Sequence, residues 1–200
     1  YTNDPRVRTQ FHAQNSGHTY RRWNEGAALA RGEFLMFAGA DDRCEPTLLA
    51  TLVSLLDTHP DCGLAHARSW MIDEVGRVVR LRPTGARWDR DFVARGSEEA
   101  PHMLVKNTIP TASATLVRRA LFERCGGFDL TYRLSADHAL WVRLLAQAGL
   151  AYAATPLNGW RTHGGTVRAS LGARRFVLEL YRTTALVLEY FHIDADARER

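Results

Sequence analysis

The 200-residue sequence predicts an α/β domain with a mostly parallel central sheet covered by helices on both faces. Three observations carry this. Short apolar runs, such as Phe34 to Ala38, alternate along the chain with longer amphipathic stretches. The strand-like run 34–38 is apolar on both faces, as a strand buried between helices should be. Glycine and proline stand at the joins between the stretches.

Taken in chain order, residues 6–11 read as a short strand and residues 14–20 as a turn marked by Asn15 and Gly17. A helix over 21–32 follows, with Trp23, Ala27 and Ala30 at helical spacing and Gly32 in the capping position. The central strand, Phe34 to Ala38, runs into Gly39, Ala40 and the pair Asp41 and Asp42. Pro46 suits a first helical turn, the stripe Leu48, Leu49, Leu52, Val53, Leu55 and Leu56 makes a helix, and Pro60 closes it. Residues 62–73 read as a strand, paired through a turn at 74–77 with residues 78–82.

The arginine-rich stretch 83–100 reads as a loop with a short helix. Residues 110–117 form a strand, and 118–129 a short helix stopped by Gly126 and Gly127. The helix over 135–149 has the clearest markings: Ser135 as N-cap, Asp137 in the first turn, and Leu140, Trp141, Leu144, Leu145 and Ala148 as its apolar stripe. A strand over 150–157, a loop through "NGWRTHGGTVRAS", and a final helix of about twenty residues complete the chain. Residues 1–170 are assigned to the main domain and 171–200 to a helix that packs on it or leads onward.

Net charge is +4, carried almost wholly by arginine, with Lys106 the only lysine. The basic residues are scattered and not interleaved with aromatics, which argues against nucleic-acid binding. Three cysteines, Cys44, Cys62 and Cys125, are odd in number and lack metal-ligand spacing, which fits a reduced, cytoplasmic protein. No apolar run approaches the roughly 20 residues of a membrane span. The last helix leaves peripheral association with the inner face of a membrane open as a second location.

Chemistry is expected beyond the carboxyl ends of the strands, where open α/β sheets bind ligands. Asp41 and Asp42 fall there. Two adjacent carboxylates repel each other and want a hard divalent cation, although a helix cap after the strand explains them as well. Asp137, in a first helical turn, is held ionised and able to accept a proton, or is simply a favourable end-of-helix charge. His163 in "RTHGG" suits a transition-metal site or is an exposed bystander.

The order of these segments adds more than any one of them. "NSGHTYRRWNEGAALARGEFLMFAGADD", "GGFDLTYRLSADHALWVRLLAQAG" and "WRTHGGTVRAS" together resemble the inverting glycosyltransferases of family 2, over roughly residues 5–170. The resemblance rests on Asn15, Gly17, Asn24, Ala30, Gly32, Glu33 and Phe34, on Gly126 to Asp129, on Leu140 to Leu144, and on Arg161 with His163. It implies a GT-A, Rossmann-like three-layer sandwich lacking its first strand–helix–strand unit, which in the family carries the nucleobase pocket.

The resemblance also implies roles. Asp41 would ligate Mn²⁺ or Mg²⁺ on the diphosphate of a nucleotide-sugar donor, with His163 completing the metal site. Asp137 would be the general base acting on a glycan or lipid-linked acceptor. Asn24, Asp42, Trp141 and Arg161 would contact substrate, with Trp141 also readable as a core residue. Polysaccharide biosynthesis is the expected setting. Three positions depart from the family pattern: Gly39 replaces the first aspartate of its Asp-x-Asp, Ala136 replaces the first member of the acidic pair before Leu140-Trp141, and Trp23 stands in place of an arginine. The Gly39 change leaves a non-catalytic glycan- or partner-binding module of the same fold as the alternative, and a nucleotidyltransferase as a more remote one.

Overall fold

The computed structural model describes residues 4–83, 86–162, 164 and 167–192, with the side chains of 167–171 left aside. Six helices and seven strands follow in the order α1 (Thr19–Leu29), β1 (Phe34–Met36), β2 (Arg43–Cys44), α2 (Leu48–Thr58), β3 (Cys62–Ile72), β4 (Val78–Leu81), β5 (Phe92–Ala94), α3 (Gly96–Met103), β6 (Thr115–Arg118), α4 (Arg119–Arg124), α5 (Ala136–Leu145), β7 (Gly149–Arg161) and α6 (Val167–Phe191).

The strands form one sheet in the order β1-β6-β3-β7-β2, with β4 on β3 and β5 on β7. β3 and β7 pair in parallel along most of their length, from Leu64 opposite Leu150 to Ile72 opposite Arg161. β6 runs antiparallel to both β1 and β3, so β1, β3 and β7 share one direction. The short strands β2, β4 and β5 run against their long neighbours. The expected parallel character therefore belongs to the three strands that share a direction and to the long β3–β7 ladder, while the remaining ladders are antiparallel.

Both faces of the sheet are covered, which makes the three layers. Leu35, Phe37, Leu64, Val117, Leu150 and Tyr152 join α1, α3 and α5 in one core. Leu48, Leu52 and Leu56 of α2 pack on Ala65, Ala67, Leu116, Ala151 and Ala153 of the opposite face in a second core, against which Phe34 and Met36 also rest. The alternation of 34–37 between the two cores explains why that run is apolar throughout. Its position differs from expectation: among the described residues β1 is an edge strand, hydrogen-bonded only to β6.

Other local readings also needed correction. Residues 6–11 are exposed and form no strand, because no sheet neighbour lies beside them among the described residues. β5, three residues long, is too short to show a periodicity, and it appears only because Phe92 to Ala94 pair with Tyr152 to Leu150. Residues 112–114 are a 3₁₀ turn ahead of β6. α6 breaks its helical geometry at Gly172, where φ is +77°. All three cysteines are free. Among the described residues, no helix is long and apolar enough to cross a membrane.

α5 is buried on almost every side, with His138, Ala139, Leu140, Trp141, Val142, Leu144 and Leu145 all enclosed. Trp141 is wholly buried and its indole N–H donates to the Ile109 carbonyl at 3.0 Å. It belongs to the core, which corrects the expectation that it contacts substrate. Truncating it to alanine would cost about 3–5 kcal/mol of stability.

Candidate active site

The segment after β1 places the acidic pair. Gly39 N–H donates to the Ser113 hydroxyl at 2.8 Å, which fixes the turn against the 3₁₀ segment before β6. Asp42 Oδ1 accepts the Arg161 backbone N–H at 3.0 Å, so the end of β7 holds the pair from the other side. Burial raises the Asp42 carboxyl above its usual range, offset in part by hydrogen bonds from Ser113 and Arg161, while the neighbouring Asp41 charge adds to the rise.

Gly39 stands directly against both carboxylates. A Cβ there would lie 3.1 Å from an Asp42 oxygen and 3.2 Å from an Asp41 oxygen. A side chain at this position would press into the space the two acids share.

Arg161 acts as a brace. Its Nε donates to the Asp41 carbonyl at 2.6 Å, and Nη1 donates to the carbonyls of Asp73 at 2.7 Å and Glu74 at 2.8 Å. The guanidinium thus joins the acidic turn to the β3–β4 hairpin, with three carbonyls as its partners. Asn24 is a clamp of a similar kind. Its side-chain amide donates to the Phe128 carbonyl at 2.8 Å and accepts the Phe128 N–H at 2.9 Å. A Cβ on Gly127 would meet the Asn24 oxygen at 2.8 Å, and Gly127 has φ +69°, so the "Gly-Gly-Phe-Asp" run is glycine-dependent for two reasons. Asn24 and Arg161 were expected to touch substrate. The contacts seen are with the protein backbone.

Asp137 opens α5. Its Oδ1 accepts the His138 N–H at 2.8 Å and lies 3.4 Å from the Tyr20 hydroxyl. Tyr20 donates to the Leu134 carbonyl at 3.0 Å. Burial, then the Asp137 charge, pushes the Tyr20 phenol well above its ordinary pKa, so it stays neutral beside the carboxylate. The N-terminus of α5 favours the ionised acid.

Asp137 lines a cavity of about 280 Å³ whose wall includes Arg82, Trp88, Lys106, Thr108, His138 and Trp160. The Arg82 guanidinium lies 5.3 Å from the centre of the half-buried Trp160 ring. Asp41 and Asp42 are not part of the cavity wall. They are joined to it through β7, where Trp160 faces the cavity and the next residue, Arg161, holds both acids. His163 lies outside the described residues. Among the described residues, no cluster of three or more His, Cys, Asp or Glu forms a ready metal cage. The pair of oxygen donors after β1, with a half-buried Asp42, an exposed Asp41 and open backbone at Gly39, does fit a hard cation that draws its other ligands from substrate and water.

Sequence reasoning missed Ser113, Tyr20 and Trp160. Trp160 carried a signal, an aromatic immediately before Arg161 at the end of a strand. Tyr20 and Ser113 carried none, because each reaches the site from a distant part of the chain.

The chain matches the family described as "Glycosyltransferase like family 2" over residues 8–199. It is 29% identical, over 141 residues, to a PGL/p-HBAD biosynthesis glycosyltransferase of Mycobacterium bovis, covering 70% of this chain and 48% of that protein. Over 164 residues it is 29% identical to the O-antigen biosynthesis protein RfbC of Myxococcus xanthus, covering 80% of this chain and 12% of that protein. The structure also resembles S. aureus TarS (residues 1–349) in complex with UDP-GlcNAc, with a TM-score of 0.69 at 15% identity, covering 93% of this chain and 51% of that one. The last likeness speaks for the fold. The chain spans about half or less of the length of these relatives.

Proposed function

The chain belongs to the glycosyltransferase-like family 2, and from that premise we propose that it transfers a sugar from a nucleotide-sugar donor to a glycan or lipid-linked acceptor, with inversion at the anomeric carbon. The observation that carries this reading is the join at the end of β7. Trp160 lines the Asp137 cavity while Arg161, beside it, holds the Asp41–Asp42 turn. In this reading β7 is the link between the proposed base and the acidic pair proposed to face the diphosphate.

In this reading Asp137 accepts the proton of the attacking acceptor hydroxyl. The Tyr20 hydroxyl and the His138 N–H orient it. The C–O bond to the acceptor forms on one face of the sugar as the bond to the diphosphate breaks on the other. Asp41 and Asp42 would hold Mn²⁺ or Mg²⁺, with His163 as a further ligand. The ion, when bound, neutralises charge on the leaving diphosphate. Trp160 offers an apolar face to a sugar ring. The names of the relatives, PGL/p-HBAD and O-antigen biosynthesis, support a glycan or lipid-linked acceptor. Peripheral attachment to a membrane is part of the same proposal, and the exposed Val177, Leu178 and Tyr181 of α6 support it.

Gly39 favours a second reading, a binding module that has lost donor chemistry, since one carboxylate of the usual acidic motif is missing. The two separate in a single experiment. The protein is incubated with a panel of nucleotide sugars and Mn²⁺, and nucleotide release and heat of binding are recorded. The enzyme reading expects nucleotide release with one donor and its near-loss in Asp137→Asn. Absence of both heat and release with every donor leaves the binding module.

A further inference from the structure

The Asp137 cavity carries more positive than negative charge. Among the described residues that line it, Arg82 and Lys106 stand against the single carboxylate of Asp137. His138, in the same wall, adds no charge near pH 7, since burial lowers its pKa to about 4. Asp41 and Asp42 lie outside this wall. The two cations therefore share their space with Asp137 and not with the acidic pair.

Both cations stand on anchored backbone. Arg82 follows β4, and its backbone N–H donates to the Ser69 carbonyl of β3 at 3.0 Å. Its guanidinium lies 5.3 Å from the centre of the Trp160 ring, which holds a cation beside an aromatic surface. Lys106 sits in the loop after α3, and two contacts fix that loop. Asn107 Oδ1 accepts the Ile109 N–H at 3.1 Å, and the Ile109 carbonyl accepts the Trp141 indole N–H at 3.0 Å. Lys106, the only lysine of the chain, is exposed, and among the described residues it makes no hydrogen bond or ion pair. Its ammonium is open to a ligand in the cavity.

An aromatic ring, two cations and a carboxylate on one wall fit one class of ligand. A sugar ring packs on Trp160, an acidic substituent of that sugar pairs with Arg82 and Lys106, and a hydroxyl is left for Asp137. Arginine offers a planar fork that matches carboxylate or phosphate oxygens, and lysine offers a mobile point charge. A neutral sugar makes no use of either charge.

We infer that Arg82 and Lys106 select an anionic acceptor, a sugar carrying a carboxylate or a phosphate. The inference rests on the glycosyltransferase reading only for the word acceptor: in that reading the molecule that meets Asp137 is the one that gives up a hydroxyl proton. The binding of an anionic sugar stands on the cavity alone. The competing assignment gives the two cations to the donor diphosphate.

The test uses the protein carrying this sequence and three probes with one ring in common: methyl glucoside, methyl glucuronide and methyl glucoside 6-phosphate. Their binding to wild type, Lys106→Glu and Arg82→Gln is measured by calorimetry, and donor and acceptor KM are followed in turnover. At least one anionic probe should bind wild type about tenfold tighter than the neutral one, the size of two partly exposed ion pairs. Added salt should narrow that gap. The tighter of the two anionic probes tells carboxylate from phosphate. Lys106→Glu should erase the preference while leaving methyl glucoside affinity within about twofold of wild type. Its melting temperature should match wild type, because Lys106 makes no contact within the described fold, and this keeps the test valid even where Arg82→Gln folds poorly. In turnover Lys106→Glu should raise the acceptor KM and leave the donor KM unchanged. Equal binding of neutral and anionic probes by wild type, no binding of either anionic probe, a preference that survives Lys106→Glu, or a rise in donor KM alone would overturn the inference. An anionic preference that follows Lys106, without nucleotide release from any donor, would sink the enzyme reading and leave this one standing. Nucleotide release supported by neutral acceptors alone would do the reverse.

Discussion

Glu179 of α6 accepts the backbone N–H of Ser135 at 3.0 Å, in the position where a helix cap was expected from the Ser135 side chain. The same carboxylate accepts the N–H groups of Arg133 at 2.9 Å and Leu134 at 2.8 Å. Ser135 makes no side-chain cap bond. Burial raises the Glu179 carboxyl, but the three N–H donors and Arg175 outweigh that and hold it below its usual pKa. The turn that leads into Asp137 is therefore tethered by an acid about forty residues later in the chain.

Glu179→Gln should loosen that turn. A neutral amide loses the charge assistance and offers a single oxygen to three donors, for a stability loss of about 2–4 kcal/mol. The expected reading is a lower melting temperature together with a fall in kcat, since Asp137 would no longer be held in register. A melting temperature equal to wild type would show that the tether carries no weight.

Asp137→Asn keeps an oxygen for the Tyr20 hydroxyl and the His138 N–H, so the fold should persist. It removes the proposed base. Turnover should fall about 10²–10⁴-fold, equal to about 3–5 kcal/mol of barrier, with donor binding retained. Steady-state kinetics paired with donor calorimetry check both halves. Undiminished turnover would remove Asp137 from the reaction.

Gly39→Asp adds a third carboxylate where a Cβ already lies within 3.2 Å of Asp41 and 3.1 Å of Asp42 oxygens. Like charges should destabilise the protein in EDTA. Mn²⁺ should restore the loss and bind more tightly than to wild type. Thermal melts with and without Mn²⁺ decide this, and a variant whose melting point ignores the ion would argue against metal at this turn.

Acid should destabilise the protein through His66 and His138. Both are buried and neutral when folded. His66, beside Thr115, Tyr152 and Trp88, is lowered to about 3 by burial and by the Arg82 charge, and His138 to about 4 by burial. The unfolded chain takes up these protons near pH 6.5, and the folded one does so only far below. Stability is therefore intact above pH 6.5 and lost as pH falls from there towards 4 and below. The loss is about 2 kcal/mol per imidazole by pH 5. Urea midpoints at pH 7.5 and 5.0 measure it, and His138→Phe should flatten the slope.

Much was legible in the residues alone. The run 34–37 announced a two-faced strand, and α2, α5 and the β3–β4 hairpin followed from spacing and from Gly76. The acidic pair and Asp137 stood out because strand ends and helix starts are local features. Residues 6–11 and β5 were misread because a strand exists only beside a partner, which no local pattern supplies.

The sequence by itself determined the elements and the chemical groups at their ends, since helical periodicity, strand alternation and turn residues act over a few neighbours. Only the tertiary structure decided what those groups meet. It turned Asn24 and Arg161 into braces, enclosed Trp141, and brought Tyr20 to Asp137 and Glu179 to Ser135. Each of these is a contact between residues distant along the chain, and such contacts depend on how two cores pack on one sheet.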